Sequence, residues 1–420
     1  MPPLSPERTA TRVPTGSLGS ARWQYAPVRH VSDSERRARL AVRHHLAPRA
    51  RVADVVELAG DLVGLHGSDP ATVYLSAAAR SREPAGAVTA LERSLYEHRA
   101  LVRTLCMRRT MFVVPLDVVP VVQAACTDPL VAAERKRLVR MIEDNGLAKD
   151  GARWLRRVEA KTLAELNARG EATGAELSKA VPGLREQLPF GEGKAWAGTV
   201  GVSTRVLFLL STEQRVVRGR PTGSWTSSQY RWSPMEAWLP GGVPSMAADT
   251  ARAELARRWL ATFGPATTTD LKWWTGWTVG QAKEALAAVR AVEVQLDEST
   301  GWLLPDDDGP VRAPQPWVSM LPSLDPTTMG WRGRGWYLGD HGKALFDANG
   351  NAGPTTWVDG RVVGGWAQRR SGEVVHQLLE DVGREAVAAV DRSAAELEAW
   401  LGDVRVTPRF PTPLQKKLSS

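Results

Sequence analysis

Residues 170–179 read GEATGAELSK, and residues 264–273 read GPATTTDLKW. Both follow Gly-x-Ala-Thr-x-x-acid-Leu, beginning at Gly170 and again at Gly264. Thr173 and Thr267 stand where a helix N-cap belongs, and Glu176 and Asp270 follow three residues on. That spacing allows a capping box, weaker with Asp than with Glu. Each stretch is preceded by amphipathic helical text, over 154–168 and 250–263, and followed by a further helical stretch. Strand-like text comes next: TRVLFLLSTEQRVVRGR after the first, VEVQLDESTGWLLPDD after the second. Helix, turn, helix, helix and a two-stranded β wing is the order of a winged helix.

A third unit lies upstream. Residues 34–46 form an amphipathic helix, 52–65 follow after APRAR, 89–96 give another, and ALVRTLCMRRTMFVVP supplies strands. The organisation expected is a flexible tail over 1–30, then winged helices over 31–125, 126–240 and 241–312. From Trp317 the text changes character. In TTWVDGRVVGGW the pair Asp359-Gly360 separates β-branched runs, a strong hairpin signal, and DANGN and RRSGEVV add turns. Residues 313–420 are therefore expected to form a small antiparallel β domain. Its last helix is expected to open at Ser393-x-x-Glu396 and to end at Leu401. The fold class is α+β, mainly α.

The chain has 420 residues, 43% hydrophobic and 24% charged, which suits several soluble domains. No run of eighteen apolar residues occurs, so no membrane span is expected. Residues 1–27 lack the apolar core of a secretory signal. Cys106 and Cys126 are the only cysteines, which excludes a disulfide framework and a four-cysteine zinc site. A reducing cytoplasm fits this. The net charge of +8 favours a polyanionic partner. However, 44 of the 54 basic residues are Arg, a bias that a GC-rich coding sequence also produces. Fourteen of the 17 Trp lie after residue 220, chiefly as core, although an exposed one can stack on a base.

The stretches GLHGSDPATVYLSAAAR, LVRTLCMRRTMFVVP and GSWTSSQYRWSP, in that order, resemble the AlkZ/YcaQ-like family of winged-helix DNA glycosylases. So do ELARRWLATFGPATTTDLKWWTGW, MLPSLDPTTMGW and TTWVDGRVVGGW, and the likeness spans about 35–380. It implies three tandem winged helices arranged as a C, binding to alkylated double-stranded DNA and release of bulky N7-alkyl purines, some from interstrand crosslinks. No cofactor and no metal are implied, and the acting form is expected to be a monomer. Members with demonstrated chemistry carry Gln-x-Gln or Gln-x-Asp just before an acidic residue. This sequence has His66-Gly67-Ser68 there, then Asp69.

An N7-alkylated purine is already cationic, so its departure needs no general acid. The protein has to stabilise an oxocarbenium-like sugar and place a water on it. His66 suits this as a neutral imidazole whose ordinary pKa near 6.5 makes it a general base. Ser68 can orient water, and Asp69 can offer charge. Asp69-Pro70 also reads as an N-cap followed by a first-turn proline, and Gly67 as a tight backbone angle. His66 has a structural reading too, as a hydrogen-bonded core residue. Arg103, Arg108 and Arg109 are expected to face phosphate. The basic run over 134–161 reads as a solvated helix face, and His44-His45 diverge too far around a helix to share a ligand. No HExxH, CxxC or glycine-rich phosphate loop occurs. Two functions fit: a monofunctional DNA glycosylase, or a winged-helix protein that grips DNA without excising anything, as a regulator or damage binder. Residues 66 and 68 separate them.

Overall fold

The computed structural model describes residues 28–191, 193 and 197–420. The fold is mixed α+β, about half helical, with several small sheets. One order of elements recurs along it. Helix Val55–Asp61, strand Leu65–His66, helices Pro70–Ala78 and Ala87–Glu92, and strands Leu101–Leu105 and Met111–Pro115 come first. Helix Gly151–Arg169, strand Ala172–Thr173, helices Gly174–Ala180 and Val202–Thr212, and strands Val216–Pro221 and Tyr230–Pro234 repeat it, with an extra antiparallel pair, Gln187–Phe190 and Gly198–Gly201, between the last two helices. Helix Ala248–Phe263, the single bridging residue Ala266, helices Thr268–Thr275 and Val279–Ala288, and strands Val292–Leu296 and Thr300–Leu303 repeat it again. Each time the short first strand pairs antiparallel with the last, and the last with the middle one.

The caps are the reason these helices start where they do. Thr173 Oγ1 accepts from Glu176 N at 3.1 Å while Thr173 N donates to Glu176 Oε2 at 2.7 Å. Thr267 and Asp270 exchange the same pair of bonds, at 3.0 Å each. A third box, Thr278 with Gln281, opens the next helix. Each box satisfies two amides that the helix itself leaves open.

The second repeat keeps its own core around Leu155, Leu166, Leu177 and Val206. The first and third repeats and the C-terminal region share another, centred on Trp259, Phe263, Trp274, Trp331 and Trp357. A buried polar junction crosses the same boundary. Arg80 and Asp325 are both 0% exposed and paired at 2.7 Å, and His44 joins Thr327 Oγ1 at 2.8 Å and Thr262 O at 3.2 Å. The C-terminal strands Val318–Leu321, Thr355–Val358, Arg361–Gln368 and Val374–Leu378 form an antiparallel sheet in chain order. Its hairpin turns on Asp359 and Gly360, at φ 47° and 83°, the left-handed pair whose twist suits a two-residue turn.

Three expectations change. The last third of the chain has helix Arg384–Leu401 running through Ser393, opened by Gly383 without a side-chain cap, and a further helix Pro413–Ser419. The apolar run that reads as strand begins with helix Val202–Thr212, because Val206, Leu207, Leu209 and Leu210 are buried at helical spacing. Residues 1–27 of the expected 1–30 tail lie outside the described residues, and His30, at its end, belongs to a strand, His30–Val31, pairing in parallel with Val292–Leu296. One helical run, Leu116–Asp144, is long and apolar enough to cross a membrane by length and composition. Its apolar end, including Val118, Val119, Val121 and Val122, is packed into the main core.

Candidate nucleic-acid interface and catalytic turn

Strand Leu65–His66 delivers the His66-Gly67-Ser68-Asp69 turn beside strand Met111–Pro115. His66 pairs in register with Phe112, their rings 4.9 Å apart, and only 3% of it is exposed. Gly67 N donates to Met111 O at 2.7 Å, and Arg103 Nη1 donates to Gly67 O at 2.9 Å. A Cβ on Gly67 would stand 2.8 Å from that guanidinium nitrogen. The glycine is needed for this close approach; its φ lies outside the left-handed region. Gly67→Ala is expected to destabilise by about 1–3 kcal/mol, as crowding in a tight site does. An unchanged denaturation midpoint would show that Arg103 moves aside freely.

Asp69 caps helix Pro70–Ala78, its Oδ1 accepting from Ala71 N at 3.2 Å and Pro70 taking the first turn. Its Oδ2 accepts from Arg409 N at 2.9 Å, across 340 residues of chain. Burial raises its pKa, against the two amide hydrogen bonds that lower it. Ser68 is the more accessible of the three candidate residues. Its N–H faces His66 Nδ1 at 3.5 Å, and its Oγ accepts from Met111 N at 3.4 Å. Both contacts are long for hydrogen bonds, so neither acceptor is saturated. Burial, then the neighbouring Arg108 guanidinium, pushes the His66 pKa down to about 3. His66 is a neutral imidazole throughout the physiological range, not a group titrating at pH 6–7.

The three arginines read from the sequence take different places. Arg103 is 2% exposed, over the Tyr230 ring at 5.1 Å, and its visible work is to hold Gly67. Burial deprives it of a surface phosphate. Arg109 pairs with Glu134 at 2.7 Å. Arg108 sits at φ 50° with Arg109 at 60°, a strained pair for non-glycine residues, and its guanidinium lies 3.9 Å from the Trp273 ring centroid.

Three cations went unnoticed in the sequence. Arg218 donates to Met111 Sδ at 2.6 Å and lies over Trp232 at 5.0 Å, and burial pushes its pKa down to about 10. Arg409 Nη1 donates to Ser68 O at 3.3 Å. Arg334 lies over Trp273 at 4.9 Å. Among the described residues, none of Arg103, Arg108, Arg218, Arg334 and Arg409 forms an ion pair with a carboxylate. Arg108, Arg218 and Arg409 therefore bring positive charge to this turn without an internal counter-ion, and such charge suits anions from outside the chain.

A turn with acceptors for water, set among unpaired cations on a repeated helix-and-hairpin scaffold, is the surface of a protein that works on a polyanion. The chain matches the family described as DNA glycosylase AlkZ-like over residues 59–400, and it belongs to that family. DNA repair and DNA binding follow at that level. Its fold is similar to that of the Streptomyces sahachiroi DNA glycosylase AlkZ, with a TM-score of 0.66 and 18% identity over 90% of this chain and 99% of that one. No curated protein sequence matches the chain.

Proposed function

We propose that the protein is a monofunctional DNA glycosylase that hydrolyses the N-glycosidic bond of bulky N7-alkylated purines in duplex DNA. Each of the three repeats is read as a winged helix, in line with their common strand order, and the C-terminal sheet as a fourth unit. The observation that carries the reading is the group of guanidiniums without carboxylate partners at the His66–Asp69 turn, Arg108, Arg218 and Arg409, which suits phosphates on either side of an extruded nucleotide.

The positively charged base leaves with the bonding electrons and becomes neutral. A water oxygen then bonds the sugar C1′, and the proton it loses passes to bulk solvent. His66 Nδ1 and Ser68 Oγ are the acceptors that can hold this water, since their amide contacts are long. Asp69, already engaged by two amides, contributes negative charge toward the oxocarbenium. Incubation of purified protein with duplex carrying a bulky N7-guanine adduct is expected to leave abasic sites at the adduct and none in unmodified DNA. Tight binding without abasic sites supports the second reading, a damage binder, which draws on the 3% exposure of His66.

The depressed histidines also fix the pH behaviour. His66 is neutral down to about pH 3, so the excision rate should be flat from pH 6 to 8 as far as this residue governs it. A rise through pH 6–7 would mean that another group is the base. Burial pushes His44 well below its ordinary value too. An unfolded histidine takes up a proton near pH 6.5, whereas these do not, so the unfolded state binds more protons below that point. Stability is fully present above pH 6.5 and is lost as pH falls below it, by about 1.4 kcal/mol per unit for His66 down to about pH 3, with His44 adding a loss in the same direction. Denaturation midpoints at pH 7 and 5 measure this, and equal values would contradict it.

A further inference from the structure

Arg108, Trp273 and Arg334 come from three parts of the chain: the turn Met107–Arg109, the helix Thr268–Thr275 and the loop before helix Gly335–Leu338. Both guanidinium carbons lie over the Trp273 ring, at 3.9 and 4.9 Å. Arg334 also lies 4.4 Å from the Phe346 ring centroid. Two like charges share one aromatic platform, and the neighbouring Arg334 helps burial push the Arg108 pKa down to about 10. Arg108 Nε, Arg334 Nε and Arg334 Nη2 are buried without a hydrogen-bond partner. Neither side chain has a carboxylate partner among the described residues. Asp270 is close at hand in sequence to Trp273, but its Oδ1 accepts from Arg332 N and Gly333 N and its Oδ2 from Thr267 N.

We propose that Arg108 and Arg334, held on Trp273, form a built site for a single phosphodiester of the bound strand, next to the nucleotide presented to His66. Guanidinium nitrogens match phosphate oxygens in pairs, and the ring fixes the planes of the two forks in advance. The turn that places Arg108 is backed by Gly276, whose Cβ would lie 3.7 Å from Arg108 Cα, so the first and third repeats hold the site together. Arg108 is also the charge nearest in effect to His66. A phosphate on it removes a positive field from the place where the sugar becomes cationic. The site rests on the DNA reading above.

The test uses the full chain and a 20-base-pair duplex, about two helical turns, with one bulky N7-guanine adduct. Phosphates near the adduct are replaced one at a time by neutral methylphosphonate. One replacement should weaken binding by the parent roughly tenfold or more, the worth of a charge-assisted hydrogen bond. Arg334→Gln should show a similar loss on the unmodified backbone, no further loss at that methylphosphonate, and a salt slope shallower by about 0.9. Arg334→Lys should regain part of the affinity. If the parent binds with the usual salt dependence but Arg334→Gln keeps full affinity, or stays sensitive to the same replacement, the site is wrong while DNA binding stands. If Arg334→Gln does not fold, the scan on the parent decides: no sensitive phosphate near the adduct overturns the site. A parent that binds no duplex at low salt sinks the DNA reading and the site together.

Discussion

Asp325→Ala should lower the unfolding free energy by about 3–5 kcal/mol, the usual result of leaving one member of a buried ion pair alone. Arg80 Nη1 and Nη2 reach both Asp325 oxygens at 2.9 and 2.7 Å. The remaining Arg80 donors go to His44 O, Ser76 O and Thr327 Oγ1, and Asp325 also accepts from Ser76 Oγ and Thr327 N. Removing the carboxylate leaves a guanidinium with 0% exposure and no counter-charge at the joint between the first repeat and the C-terminal region. The double change Arg80→Met with Asp325→Leu should be much milder, since it removes the desolvated charges together. A denaturant midpoint is the readout. A loss under about 1 kcal/mol for Asp325→Ala would mean that water enters the joint and screens the stranded guanidinium.

His66→Ala should reduce single-turnover excision by about 10²-fold, the usual cost of misplacing a reacting group, here the attacking water. Duplex affinity should change little, because one neutral side chain adds little beside the phosphate contacts. His66→Gln should retain part of the rate, since an amide oxygen can still accept from water. An unchanged rate in His66→Ala would assign the water to Ser68 and Asp69 instead.

The capped repeats were legible because their signals are local. Thr173 with Glu176 and Thr267 with Asp270 lie three residues apart, and the Asp359-Gly360 turn is self-contained. Ser393 carried the same kind of signal and misled, because helix Arg384–Leu401 passes straight through it. The turn at His66 was legible as a place, through Asp69-Pro70, but its protonation was not. An ordinary histidine pKa assumes solvent, and the Phe112 and Arg108 environment that excludes the proton is tertiary. Arg103 looked like a surface cation for the same reason: Tyr230, which helps bury it, arrives from the second repeat. Arg218, Arg334 and Arg409 reach the site across long stretches of chain, and no periodicity announces such contacts. Trp273 sits in a run of tryptophans that reads simply as core.

The central claim is that this turn hydrolyses a glycosidic bond. Its most direct measurement is mass spectrometry of a single-turnover reaction on duplex with one bulky N7-alkylguanine, run in ¹⁸O-labelled water. Free alkylguanine is expected, together with an unbroken strand with one abasic sugar carrying the label at C1′. Fully bound, chemically unchanged DNA would contradict it, and so would a strand cleaved at the lesion.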